Sequence, residues 1–208
     1  MTVSLCIIAR NEQAALEKLL EDVKAQTYPH AQIEVVLVDN LSADGTKAVM
    51  EAFAAQKNGF QNVTVAQCPK VGQAAAWNCA VLHAGGEVII RVDAHASIPQ
   101  DFVSCNVEHI QQGEFICGGG RPCRAEKATP WQGTLLAAEE SLFGSSVAKY
   151  RRQQAHKQYV SSVFHAAYRR EVFAKVGGFN ENLGRTEDNE IHYRMRRSGF
   201  KIACYPDI

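Results

Sequence analysis

The sequence predicts an α/β protein with a Rossmann-like, mostly parallel central sheet flanked by helices. Three observations carry this expectation. Short, apolar, β-branched runs recur along the chain, segments with helical periodicity separate them, and two of the runs, IEVVLVD and EVIIRVD, end on an aspartate. Strands alternating with helices imply right-handed crossovers and parallel pairing. In sheets of this kind ligands collect at the carboxyl ends of the strands, which is where Asp39 and Asp93 stand.

Taken in order, residues 3–9 (VSLCIIA) form an apolar, β-branched run, as expected of a strand covered on both faces. Leu16, Leu19, Leu20 and Val23 then recur at i, i+3, i+4 and i+7, an apolar helix face for which Asn11 is a suitable N-cap. Residues 33–39 form a second strand, and Ser42 can cap a helix carrying Val49 and Phe53. A short strand at 62–66, a helix from 72 to 83 ended by Gly85-Gly86, and a strand at 87–93 follow. Beyond residue 100 the pattern loosens. A strand is expected at 115–120, a helix around 131–141, a mobile loop from 144 to 157, and a strand-like run at 161–168. A short helix at 169–176 is stopped by Gly177-Gly178, a last helix spans 187–198, and 201–205 closes the sheet.

At 208 residues, one domain over 1–208 is expected. The 22 basic and 22 acidic residues balance, which gives no field directed at nucleic acid. No apolar run approaches the ~20 residues of a membrane-spanning helix, and the N-terminus is not a signal peptide. Seven scattered cysteines without a C-x-x-C pair fit a reduced cytoplasmic compartment, most of them serving as small buried hydrophobes. Cys117 and Cys123 are the pair close enough in sequence to bridge or bind metal instead.

Asp93 and His95, two apart beyond a buried strand, project to one side in extended geometry and can share an ion. Carboxylate and imidazole together suit Mn²⁺ or a similar cation whose shell is completed by phosphate oxygens. On two residues alone, a polar strand end explains them equally well. Gly72 and Asn78 lie at or near the start of a helix, where free N–H groups favour a diphosphate; the alanines between them equally suit close packing on the sheet. Glu187 and Asp188 open a helix, where acidic side chains complement the macrodipole without any catalytic role, and Thr186 is a good N-cap. Lys149, Arg151, Arg152 and Lys157 could face an anionic acceptor or simply solvent. Trp131 could stack on a sugar, whereas Trp77 reads as core.

The segments IIARNE, VDNLSADGT, VGQAAAWNCAV, RVDAHA and TEDNEIHYRMRRSGFKI resemble, in order and spacing, the family-2 glycosyltransferases of the GT-A fold. FHAAYRREVFAKVGGFNENLGRTEDNE is similar to the branch that includes succinoglycan-type exopolysaccharide glucosyltransferases. The resemblance implies that Ala9, Arg10, Asn11 and Glu12 touch the nucleotide, that Asp39 bonds the uracil or ribose, and that Gly72, Asn78 and Asp93 also hold the nucleotide sugar. It implies that Asp93 and His95 bind Mn²⁺ or Mg²⁺, with affinity falling as pH approaches the free histidine value of ~6.5. Asp188 would be the catalytic base, with Glu187 beside it. Asn40 departs from the second aspartate of many members and leaves the base, uridine or guanosine, open.

The activity so implied is inverting transfer of a sugar from a nucleotide diphosphate, a UDP-sugar for preference, to a saccharide or lipid-linked saccharide acceptor. No nucleic acid partner is expected. The localisation expected is cytoplasmic, at the inner face of a membrane if segments outside this chain anchor it there. Members of the branch commonly continue into hydrophobic C-terminal segments, so the chain is either a short member or a fragment. The rival is a non-catalytic nucleotide-sugar-binding module of a polysaccharide synthesis complex, which would have no use for a base. A nucleotidyltransferase or a classical dehydrogenase would need a glycine-rich loop after the first strand, and ARNEQAAL has no glycine.

Overall fold

The computed structural model describes residues 1–120, 129–140 and 155–208. In chain order the elements are β1 (Val3–Ala9), α1 (Gln13–Lys24), β2 (Ile33–Asp39), α2 (Thr46–Ala54), β3 (Asn62–Gln67), α3 (Gln73–His83), β4 (Val88–Asp93) and α4 (Phe102–Gln111). They continue with β5 (Ile116–Gly119), α5 (Pro130–Glu140), β6 (Gln158–Tyr159), β7 (Ala166–Arg169), α6 (Arg170–Val176), α7 (Glu187–Arg197) and β8 (Ile202–Tyr205). Among the described residues the strands form one sheet in the order β3-β2-β1-β4-β7-β5-β8-β6. The first four are mutually parallel, β7 runs antiparallel to β4 and β5, and β8 is parallel to β5. The expected α/β class and mostly parallel sheet are therefore present.

Strand alternation divides the core in two. Val3, Leu5, Ile7 and their counterparts on β2 and β4 pack with Leu16, Leu19, Leu20 and Val23 of α1 and with α4. Cys6, Ile8, Val36, Val38 and Ile89 lie on the other face, under the alanines of α3 and beside α6 and α7. Each fully buried aliphatic side chain contributes about 1.5–3 kcal/mol relative to exposure, so the four apolar positions of α1 are what hold that helix on the sheet. Four cysteines, Cys6, Cys68, Cys117 and Cys204, are buried as expected of small hydrophobes; Cys123 lies outside the described residues.

Some local expectations need correction. Asn11 does not cap α1: its φ is 56°, and its Oδ1 accepts from the Ala43 amide at 2.7 Å. Ser42 does not cap α2 either, since its Oγ accepts from the Asn11 amide at 3.0 Å. The start of α1 is met across space, Glu12 N–H by Thr46 Oγ1 at 2.9 Å and Gln13 N–H by Asp44 Oδ2 at 3.3 Å, whereas that of α2 is met within its own turn, Thr46 N–H by Asp44 Oδ1 at 3.0 Å. The reason is register: Ala9 pairs with Asp39, so the turns after β1 and β2 lie side by side and the second caps the helix that follows the first. Thr186 stands at the N-cap of α7 but makes no side-chain cap bond and has φ 64°.

The run 161–168 is a strand only from Ala166; residues 162–165 lie outside the ladder and bring His165 against Asp93. Gly118 permits that placement, as a Cβ there would meet the His165 carbonyl oxygen at 2.8 Å. Helix α4 was not expected. Its buried Val103, Val107 and Ile110 are spaced i, i+4, i+7, a pattern obscured by the interleaved Ser104, Asn106 and His109. Most of the stretch 144–157, with Lys149, Arg151 and Arg152, lies outside the described residues. Among the described residues no helix is long and apolar enough to cross a membrane.

Candidate active site

β1 and β4 are neighbours with Ile8 opposite Asp93, so the turns that leave them share one end of the sheet. Between these turns lies a cavity of about 210 Å³, lined by Ala9, Arg10, Glu12, Asp93 and His95 together with Ile8, Asn40, Gln73 and Ala94. Of the residues picked out from the sequence, the first five are thus brought together. Asp93 is nearly buried, its backbone N–H donating to Nε2 of His165 at 3.3 Å. His165 Nε2 also stands 4.0 Å from Asp93 Oδ2. His95 is 57% exposed, with Nδ1 3.5 Å from Glu12 Oε1.

Two carboxylates and an imidazole facing one small cavity form an oxygen-and-nitrogen donor set that fits Mn²⁺ or Mg²⁺. Among the described residues no three ligating side chains converge tightly enough to hold an ion by themselves. An ion here would take the rest of its shell from a bound ligand such as a diphosphate.

The other expected residues are placed differently. Asp39 is 1% exposed, accepts from the Ser42 amide at 3.2 Å and from Gln67 Nε2 at 3.3 Å, and does not line the cavity. It continues the alternation of Leu37, whereas Asp93 continues that of Ile89, so the two carboxylates leave opposite faces of the sheet. Gly72 precedes α3 with φ 144°, and its N–H is taken by Asn40 Oδ1 at 3.0 Å. Asn40 Nδ2 donates to the Lys70 carbonyl at 2.9 Å, so this amide holds both sides of the loop entering α3. Asn78 is committed elsewhere: it donates to the Phe179 carbonyl and to Glu181, and accepts from the Phe179 amide at 2.7 Å.

Glu187 and Asp188 open α7. Glu187 is buried, and that burial, reinforced by Asp188 and Asp93, pushes its carboxyl above the ordinary glutamate range. Asp188 is half-buried, and its Oδ1 accepts from the Asn189 amide at 2.8 Å. The link between α7 and the cavity is Arg91 on β4, a buried guanidinium within electrostatic reach of both Asp93 and Asp188.

Arg91, His165, Gln73 and the structural use of Asn40 were missed from sequence. Arg91 alone left a signal, being a charge inside the otherwise apolar run VIIRV. Trp77 is core as expected, and Trp131 is 68% exposed. Lys157 pairs with Glu114 beside a larger, open cavity of about 600 Å³ at the amino ends of β5 and β8. That cavity is lined mainly by lysines and aromatic rings and shares no lining residue with the one beside Asp93.

The profile described as glycosyl transferase family 2 matches residues 4–177. The succinoglycan biosynthesis protein ExoA of Rhizobium meliloti is 30% identical over 207 residues, covering 97% of this chain and 60% of that protein. Among solved structures, the mannosyltransferase PcManGT of Pyrobaculum calidifontis, in complex with GDP-Man and Mn²⁺, superposes with a TM-score of 0.75 at 23% identity, over 99% of this chain and 55% of that one. TarS of S. aureus in complex with UDP-GlcNAc superposes at 0.74 and 19% identity, over 100% and 57%. The fold is thus of the GT-A type, with acidic side chains gathered where the parallel strands end. The chain belongs to glycosyl transferase family 2. It spans between half and two thirds of the length of these relatives.

Proposed function

We propose that this domain transfers a sugar from a nucleotide-diphosphate donor, a UDP-sugar, to an acceptor hydroxyl with inversion at the anomeric carbon, in polysaccharide or glycolipid synthesis. The observation that carries the reading is the assembly of Asp93 and His95 at the end of β4 with Asp188 at the start of α7, joined through the field of Arg91. The likeness to a succinoglycan biosynthesis protein supports a saccharide or lipid-linked saccharide acceptor, which in this reading is met at the inner face of a membrane. The structures named above include both a UDP-sugar and a GDP-sugar complex, so the uridine preference rests on the resemblance to the exopolysaccharide branch.

In this reading the nucleotide lies against Ala9, Arg10, Asn11 and Glu12, with Asp39 behind it and the amino end of α3 at the diphosphate. Asp93 and His95 hold a divalent cation, which when bound supplies Lewis-acid stabilisation of charge on the leaving diphosphate. The Asp188 carboxylate accepts the proton of the acceptor hydroxyl as that oxygen bonds the anomeric carbon. On the opposite face the bond to the diphosphate oxygen breaks, and the nucleotide leaves with the electron pair. Asp188 is the more accessible of the acidic pair and has an oxygen without a hydrogen-bond partner among the described residues, which suits a base; Glu187, buried and harder to ionise, suits orientation.

Incubating the protein with radiolabelled UDP-sugars and Mn²⁺, with and without candidate glycan acceptors, tests the reading. Transfer with inverted anomeric configuration by NMR is expected. Donor binding with no turnover on any acceptor would leave only a binding module.

A further inference from the structure

A series of buried polar contacts runs beneath the site and connects β4 to α7. Arg91 leaves β4 on the same face as Asp93, two residues later, and is 4% exposed. Its guanidinium carbon lies 4.3 Å from the centre of the Trp77 ring and 4.9 Å from that of Phe179. Nη1 donates to the Tyr168 hydroxyl at 3.5 Å. That hydroxyl is 2.8 Å from Nε2 of His192, whose Nδ1 is 2.7 Å from Oγ of Ser162. The protons have one consistent order. A guanidinium only donates, so Tyr168 accepts from Arg91 and gives its own proton to His192 Nε2. A neutral His192 then carries its proton on Nδ1 and donates to Ser162. Burial, followed by Arg91 and Arg196, drives the imidazole down to about 3, so the ring is neutral at physiological pH.

The two ends of this series matter. His192 follows Asp188 by four residues, which sets both on one face of α7. Ser162 begins the segment whose His165 accepts the Asp93 amide. Together with the chain between Arg91 and Asp93 and between Ser162 and His165, the contacts therefore close a ring from Asp93 through Arg91, Tyr168, His192, Ser162 and His165 back to Asp93. Core satisfaction alone does not explain the ring. Burying a guanidinium is costly, and replacing such groups by apolar ones is often neutral or stabilising. Yet Arg91 makes no ion pair within 4.0 Å among the described residues, and its Nε has no hydrogen-bond partner. Ile89 fills the preceding position on the same face with apolar surface. What directional bonds add over apolar packing is a single permitted rotation and separation of α7 relative to β4, in a reaction where a misplacement of ~1 Å can cost ~100-fold in rate.

We propose that Arg91, Tyr168 and His192 form a buried positioning strut that sets Asp188 at its working distance and rotation relative to Asp93. The proposal rests on Asp188 being the base. These are positioning residues, since none of them touches substrate.

The test is a double-mutant cycle on the intact chain, with kcat and UDP-sugar affinity measured for the wild type, Tyr168→Phe, Asp188→Asn and the double variant. Tyr168→Phe removes one oxygen from the middle of the strut and keeps the ring. It should lower kcat about 10- to 100-fold with donor affinity nearly unchanged, and should lower it no further when Asp188 is already Asn. His192→Gln, which keeps a donor and an acceptor, should retain more turnover than Tyr168→Phe, and it carries the same cycle if Tyr168→Phe does not fold. Near-normal kcat in a folded Tyr168→Phe, or losses that multiply in the double variant, would overturn the strut while leaving the base assignment intact. Wild-type turnover in Asp188→Asn alone would instead remove the base, and the strut with it.

Discussion

Two carboxylates at the site answer to opposite physical demands. As the proposed base, Asp188 would have to ionise and reach a hydroxyl, and it stands half-exposed at a helix start, whereas Glu187 beside it is buried with its carboxyl pushed up. Asp188→Asn keeps size and position but cannot accept a proton, and general-base catalysis typically contributes about 10²- to 10⁴-fold. We expect Asp188→Asn to lose at least ~100-fold in kcat with donor affinity and melting temperature little changed, and Glu187→Gln to lose less. The reverse ranking in steady-state kinetics would reassign the base. Asp93 has a separate proposed role, as metal ligand. Asp93→Ala should abolish the dependence of donor binding on Mn²⁺, and calorimetry in EDTA should reproduce the weak binding of that variant with the wild-type protein. Equal donor affinity with and without the ion would remove the metal from the account.

At the scale of elements, the loop from β3 to α3 shows what an amide at position 40 does that an acid would not. Asn40 donates to the Lys70 carbonyl and accepts from the Gly72 amide, and only a carboxamide does both. Asn40→Asp would set a carboxylate oxygen against a carbonyl, and leaving a buried group unsatisfied costs about 1–3 kcal/mol. Since that loop leads into α3, whose amino end is the proposed diphosphate site, donor affinity should fall about tenfold or more while kcat at saturating donor is largely kept. An unchanged affinity by calorimetry would show that Asn40 does not hold the loop for the donor. The same logic of support between neighbours explains the turns after β1 and β2, the second of which satisfies the start of α1 as well as that of its own helix.

For the molecule as a whole, the buried histidine couples folding to pH. His192 is neutral in the fold, its value lowered from 6.5 to about 3 by burial and by Arg91 and Arg196, with Tyr168 as its hydrogen-bonded neighbour. Between those two values the unfolded chain binds a proton that the native state refuses. This group therefore stabilises the fold fully above pH ~6.5 and gives up about 1.4 kcal/mol per pH unit as pH falls toward 3. His192→Gln lacks this term. The stability gap between wild type and His192→Gln should accordingly narrow from pH 7.5 to pH 5 in thermal or denaturant melts. A gap independent of pH would mean that the imidazole is not kept neutral.

Patterning was enough to establish the α/β class, the parallel β1 to β4 and the place of Asp93 at a strand's carboxyl end with His95 two residues on, because strand alternation and strand ends are local properties that the order of residues reports directly; Ala9, Arg10 and Glu12 were picked out by family resemblance. The pairing of Asp93 with His95 gained its meaning from family resemblance, and so did the choice of Asp188 over a plain helix start. Only the tertiary structure decided that Asn11 and Ser42 serve neighbouring turns, that Asn78 pins the segment around Phe179, and that Asp39 leaves the face opposite Asp93. It also decided what Arg91 is for. A charged residue in an apolar strand is visible in sequence, but its partners, Trp77, Phe179, Tyr168 and, through Tyr168, His192, come from four separate stretches of chain that the sheet order alone brings within reach. Capping, latching and burial of charge are bargains struck between elements distant in sequence, and no window of adjacent residues contains them.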